Sequence, residues 1–124
     1  SRLKEPVIMI ADRGYEAYNN IAHIEQKKWN YLIRAKEKRG ILSGLKLPDT
    51  PEFDVAFSYF LSKRLTNRIR REPQKYRWIP SKVRFDYIKN ASDVLYPISF
   101  RVVRFAVKEG LYETVITNLP LSGT

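Results

Sequence analysis

Pro6-Val-Ile-Met-Ile-Ala-Asp12, closed by Arg13-Gly14 and followed by Trp29-Asn-Tyr-Leu-Ile-Arg34, is the stretch on which the fold turns. Its first part is a short continuous apolar run that ends in an acid and a glycine turn. Without polar alternation it reads as a strand buried on both faces. Between the two runs, Ala17, Ile21, Ile24 and Lys28 fall at i, i+4, i+7 and i+11, with Tyr18 and Ala22 alongside, which predicts an amphipathic helix over Tyr15 to Lys28. Strand, helix and strand in this order form the βαβ unit of a mostly parallel sheet.

Beyond Ala35 the period changes to two. Phe53, Val55, Phe57, Tyr59 and Leu61 alternate with Asp54, Ala56, Ser58, Phe60 and Ser62, the pattern of a half-buried strand running toward Arg64. Gly40, Gly44, Pro48, Pro51, Pro73 and Pro80 mark loops. From Ile98 to Val107 the apolar phase shifts: Ile98, Phe100 and Val102 share one face, then Val103, Phe105 and Val107 take over. A one-residue bulge near Val102-Val103 would keep all six inward and put Arg101 and Arg104 together on the other face. Lys108-Glu-Gly-Leu111 reads as a hairpin loop into Tyr112 to Leu119, so the second half is expected to be antiparallel β. The fold class expected is α+β.

The chain has 124 residues, 44% of them hydrophobic, with eight Tyr, six Phe and two Trp. That suits one folded domain and is too aromatic for a disordered polycation. No apolar run approaches the roughly 20 residues of a spanning helix and no signal peptide opens the sequence, so a soluble, cytoplasmic protein without membrane contact is expected. The absence of Cys excludes disulfides and thiolate metal sites, and a single His23 excludes His-pair sites, so any metal would be held by oxygen. Charge is uneven. Residues 1–60 carry 10 basic and 8 acidic side chains, residues 61–124 carry 13 and 5. The densest stretch, Lys63 to Arg84, holds nine cations against Glu72, with Tyr76 and Trp78 interleaved. It is either a solvated solubility face or a polyanion-binding surface, and the aromatics favour nucleic acid.

Asp12 falls at the carboxyl end of a predicted central strand, where open α/β sheets bind ligands. There it is either an oxygen ligand for Mg²⁺ or Mn²⁺ or a cap on the following helix. The chain begins without Met, enters a strand within six residues and ends soon after another, which suggests an excerpt of a larger enzyme.

Ile10-Ala-Asp-Arg-Gly-Tyr-Glu-Ala-Tyr-Asn19, Tyr31-Leu-Ile-Arg34, Tyr96-Pro-Ile-Ser-Phe-Arg-Val-Val-Arg-Phe105 and Tyr112-Glu-Thr-Val-Ile-Thr-Asn-Leu-Pro120 together resemble the middle of a bacterial insertion-sequence transposase of the DDE (Asp-Asp-Glu) class. The resemblance implies a ribonuclease-H-like core interrupted by a β-rich insertion: residues 1–35 in the core, 36–113 in the insertion and 114–124 returning toward the core. It implies that Asp12 is the second of three acids holding two divalent metals, Mg²⁺ or Mn²⁺, with the first acid upstream and the catalytic Glu downstream of this chain. The isolated chain would then be inactive. The partners implied are transposon-end DNA and, for the whole enzyme, a second copy on that DNA, in the bacterial cytoplasm at the nucleoid.

By the same resemblance Arg34, at the end of the second core strand, contacts DNA phosphate or the flipped terminal base region near the cut; otherwise it balances Glu37. Arg13 meets phosphate, whereas Tyr15 packs under the helix. Arg68, Arg70, Arg71, Lys75 and Arg77 are candidate phosphate contacts of the basic stretch, and Trp78 either stacks on a base or joins a β core. Arg101 and Arg104 either grip phosphate or pair with Glu109, Glu113 or Asp86. Asp86 and Glu113 themselves read as turn or strand acids without a catalytic role. The competing function is a non-enzymatic β-rich module for single-stranded nucleic acid, which has no need of a buried strand ending in Asp12. A structural domain with incidental charge is the third.

Overall fold

β1 (Ile8–Ala11) and β2 (Asn30–Arg34) lie parallel with Ile8 opposite Asn30 and Ala11 opposite Ile33, joined through helix α1 (Tyr18–Gln26). The predicted strand-helix-strand unit is therefore present in this computed structural model, which describes residues 8–11, 17–35 and 40–119. α1 buries Ile21, Ala22 and Ile24 on one side. It ends because Lys28 turns left-handed (φ 62°), which brings the Lys28 and Trp29 amides onto the carbonyls of Glu25 (2.8 Å) and Ile24 (3.2 Å). That is a Schellman ending with lysine where glycine is usual.

The remaining strands are β3 (Phe53–Ser62), β4 (Tyr76–Trp78), β5 (Leu95–Lys108) and β6 (Leu111–Thr117), with a second short helix α2 (Asn67–Arg71). Hydrogen bonding orders the six strands β1-β2-β6-β5-β3-β4. The chain divides into two compact units, residues 1–56 with 100–124, and residues 57–99; β3 and β5 run through both.

In the first unit β6 is central. It pairs antiparallel with β2 (Ile33 opposite Ile116) and with β5 (Val102 opposite Ile116), and Thr114 to Thr117, whose side chains alternate between the two faces, are all buried. Asn118 extends this seam: its Oδ1 accepts from the Tyr31 amide (2.9 Å), while the Thr117 hydroxyl donates to the Tyr31 carbonyl (2.6 Å). These bonds satisfy the backbone at the start of β2 across 86 and 87 residues of sequence.

Three expectations are corrected here. β1 is not buried on both faces: it is an edge strand, and Ile8 and Ile10 are exposed, Ile10 by 76%. The bulge near Val102-Val103 is absent, because β5 and β6 stay in register from Arg101 to Ala106 and slip only between Ala106 and Lys108. Alternation therefore continues, leaving Phe105 and Val107 exposed and Arg101 and Arg104 on opposite faces. The second half is also not wholly antiparallel, since β4 runs parallel to β3 (Phe60 opposite Tyr76, Ser62 opposite Trp78) after the α2 crossover. The β5–β6 hairpin forms as expected, with Gly110 at φ 77° in its turn.

In the second unit, Tyr59, Leu61, Ile69, Tyr76, Ile79, Phe85, Ile88 and Ile98 make the core. Phe85, Tyr87 and Tyr96 pack ring against ring at 5.3 to 5.9 Å between centroids.

Candidate nucleic-acid interface

Residues 57–99 carry ten Lys and Arg against three Asp and Glu, a net charge of +7 out of +10 for the chain. The unit spends one cation internally. Lys63, 5% exposed, donates from Nζ to the carbonyls of Pro80 (2.9 Å) and Val83, and burial pushes its pKa below that of an ordinary lysine. Beside it Ile79 donates its amide to the Ser62 carbonyl (2.7 Å), so the end of β3 staples the turn that carries Lys82 and Arg84. Lys63 therefore belongs to the framework although it sits in the basic run.

α2 displays the next cations. Thr66 caps it by accepting the Ile69 amide at its hydroxyl (3.2 Å), and Ile69 is the one buried side chain, so Arg68, Arg70 and Arg71 are held outward on a single anchored turn. Arg68 reaches Glu72 (3.7 Å) and lies 5.7 Å from the Tyr76 ring; Lys75 stands over the same ring at 5.5 Å. Arg70 and Lys75 are exposed, and Arg71 uses only its Nε, toward the Asn67 carbonyl (3.3 Å). In β4, Arg77 packs over Tyr59 at 5.5 Å on one face while Trp78 points from the other, 46% exposed. Trp78 is thus not a core residue: β4 is an edge strand of three residues, too short to cover it. Arg84 is joined to Asp86 (2.9 Å), which sits in a turn and keeps the guanidinium charged beyond its ordinary range.

In the first unit, Arg34 is exposed at the end of β2, one residue past Ile33, the partner of Ala11, and 3.9 Å from Glu113. Arg101 makes a bidentate pair with Asp54, Nε to Oδ1 at 3.0 Å and Nη2 to Oδ2 at 2.7 Å, and its Nη1 donates to the Leu119 carbonyl at 2.5 Å. Its partner is neither Glu109, Glu113 nor Asp86. Arg104 stacks on Tyr112 at 4.9 Å and lines a cleft of about 630 Å³ with Phe53 and Thr114. The expected grouping of Arg101 with Arg104 is absent. Asp54 as the arginine's partner, and the clip formed by Thr117 and Asn118, are features the sequence reading missed; each depends on pairing across at least 47 residues, for which local spacing holds no signal.

The Arg101 hydrogen bonds hold the Asp54 carboxyl below its usual pKa, so this pair stabilises the fold above about pH 4 and the contribution is lost as pH falls through the depressed value. Asp54→Asn should cost about 1–2 kcal/mol at pH 7, less than a fully buried charged pair because Asp54 keeps contact with water. Urea midpoints measured between pH 3 and 7 should then fall less on acidification in the variant than in the parent; parallel curves would show that the pair contributes nothing.

Asp12 and Arg13, the expected metal ligand and its neighbour, lie outside the described residues, as does Tyr15. Among the described residues no three of His, Cys, Asp and Glu stand close enough to hold a metal ion, and no helix is long and apolar enough to cross a membrane. His23 is half-exposed on α1.

A parallel β1–α1–β2 unit in which Asp12 is the next residue in sequence after β1, with the positive charge gathered in residues 57–99, suits a protein that handles DNA. The family model for the transposase DDE domain matches residues 1–120, and the chain belongs to that family. Membership implies DNA binding and transposition-related cleavage and transfer of DNA, an enzyme class that generally uses divalent metals. No curated protein and no solved structure matches the chain.

Proposed function

We propose that this chain is the central part of a transposase that cleaves DNA at transposon ends and transfers the strand. Residues 1–35 and 114–124 contribute to a ribonuclease-H-like core, and 36–113 form the insertion that grips DNA. The observation that carries this reading is the concentration of ten cations on residues 57–99 within a chain of the DDE family.

In this reading Asp12 is one of three metal-binding carboxylates, the other two being contributed from outside residues 1–124. Divalent ions, when bound, activate the attacking oxygen and stabilise the leaving one in in-line phosphoryl transfer. The chain's own residues position the DNA. Arg34 and Arg13 hold phosphate near the cut, and Arg68, Arg70, Arg71, Lys75 and Arg77 neutralise the backbone further along. Trp78 offers an open ring on which a base can stack. Arg104 approaches phosphate from its own cleft. Arg101 reaches DNA only by sharing the guanidinium that holds Asp54. The whole enzyme works as a homodimer on its two DNA ends.

The test uses residues 1–124 and a duplex oligonucleotide. Binding that weakens steeply with salt, without Mg²⁺-dependent cleavage, is the expected result. No binding even at low salt would overturn the DNA reading. Cleavage that disappears in Asp12→Ala would overturn the assignment of the remaining acids to other parts of the enzyme.

A further inference from the structure

Residues 57–99 contain a cavity of about 160 Å³ bordered by Arg64, Thr66, Arg68, Tyr76, Asp93 and Leu95. A water takes about 30 Å³ in the liquid, so the space suits a tetrahedral oxyanion. Its chemistry suits one too. Two arginines, Arg64 and Arg68, border it, and guanidinium matches the geometry of phosphate oxygens. Tyr76 and Leu95 supply an apolar wall that strengthens charge interactions at its mouth.

Both arginines already hold carboxylates. Arg64 Nη1 bonds Asp93 Oδ1 at 2.8 Å, and Arg68 Nε stands 3.7 Å from Glu72 Oε2. The first pair is short but open to water, with side chains 53% and 79% exposed. Exposed pairs of this kind contribute little to stability, so an incoming phosphate can replace the carboxylate at small cost. Asp93 is moreover held by its own chain only through an exposed loop, where the Ser92 hydroxyl accepts the Val94 amide at 3.0 Å.

We propose that this cavity is a phosphodiester pocket, that Arg64 and Arg68 grip a backbone phosphate of DNA in it, and that Asp93 occupies it as an internal competitor when DNA is absent. The inference rests on the DNA reading above and adds a site and a restraint to it. Asp93 lowers affinity for any DNA by holding Arg64 until a phosphate displaces it, which favours release from loosely held sequence.

The test measures duplex binding by residues 1–124 at several salt concentrations. Asp93→Asn should raise affinity about threefold to fivefold, the worth of one exposed ion pair. Glu109→Gln removes the same charge from outside the cavity and should stay within about twofold, since exposed charges are screened over about 10 Å. Arg64→Gln should weaken binding and flatten the salt slope by about one. In the Arg64→Gln background the gain from Asp93→Asn should vanish, because the two residues act on one site. If the parent chain binds no DNA, the DNA reading fails and this pocket with it. If the parent binds but Asp93→Asn matches Glu109→Gln, the pocket alone fails. A gain confined to inorganic phosphate, with DNA affinity unchanged, would assign the cavity to free phosphate and overturn the DNA contact.

Discussion

Replacing Arg70, Arg71 and Lys75 together by Gln should lower the affinity of the chain for duplex DNA about 10²- to 10³-fold at 0.1 M salt, and should flatten the dependence of log K on log salt by nearly three. Each phosphate contact releases a counterion, and at 0.1 M that release is worth close to a factor of ten in binding. These three residues are chosen because their charges face water on α2 and just before β4 and, among the described residues, answer to no acid by an ion pair. Folding should be almost unaffected, since exposed substitutions away from caps and cores usually change stability by less than about 0.5 kcal/mol. The Thr66 cap and buried Ile69 that shape α2 remain in place. Lys27, Lys46 and Lys108, all exposed and all outside residues 57–99, form the control set. Their triple replacement by Gln removes the same net charge and should weaken binding less than about tenfold, because charges that do not meet phosphate act only through a screened field. Anisotropy titrations of both triple variants decide between a directed surface and a general polycation: equal losses would show that net charge alone binds DNA.

The same contrast explains what was legible in the sequence. The strand-helix-strand unit was readable because its signals are local: an apolar run, a helical period across Ile21 and Ile24, and a second run ending at Arg34. The period-two stretch from Phe53 to Ser62 was readable for the same reason. Reading failed where neighbours in space decide. β1 carries the composition of a buried strand, yet its place at the sheet edge exposes Ile8 and Ile10. The apolar phase shift at Val102-Val103 reads as a bulge, but β6 pairs straight through it, residue for residue from Arg101 to Ala106. Trp78 has a β-core composition around it and still faces water. In the candidate interface, the gathering of cations was plain from the sequence. Their division was not: Lys63 is internal, Arg101 is bound by Asp54, and Arg64 is held by Asp93, and each partner lies 17 to 47 residues away. Spacing along the chain reports which charges are present, and only the fold reports which remain available.

Ile33→Ala should destabilise the unit containing β1, β2 and β6 by about 2–4 kcal/mol, the range for removing a large aliphatic side chain from a core that cannot collapse around the gap. Ile33 is fully buried, and its strand neighbours are Ala11 on one side and Ile116, also fully buried, on the other. Losing a β-branched residue from a central strand adds up to about 1 kcal/mol in strand preference. Leu32, the next residue, points to the other face and is only half-buried, so Leu32→Ala should cost less than half as much. The difference tests which face of β2 carries the core, and a urea titration of each variant measures it. It also bears on function. Among the described strands β1 is bonded to the sheet through β2 alone, so weakening β2 should raise hydrogen exchange at the β1 amides before it does so in β5 or β6. The residue after β1 is Asp12 and the last residue of β2 is Arg34, so the geometry proposed for catalysis depends on this one pairing. Equal costs for the two variants, or exchange that rises uniformly across the unit, would show that β1 is not the separately fragile element its edge position implies.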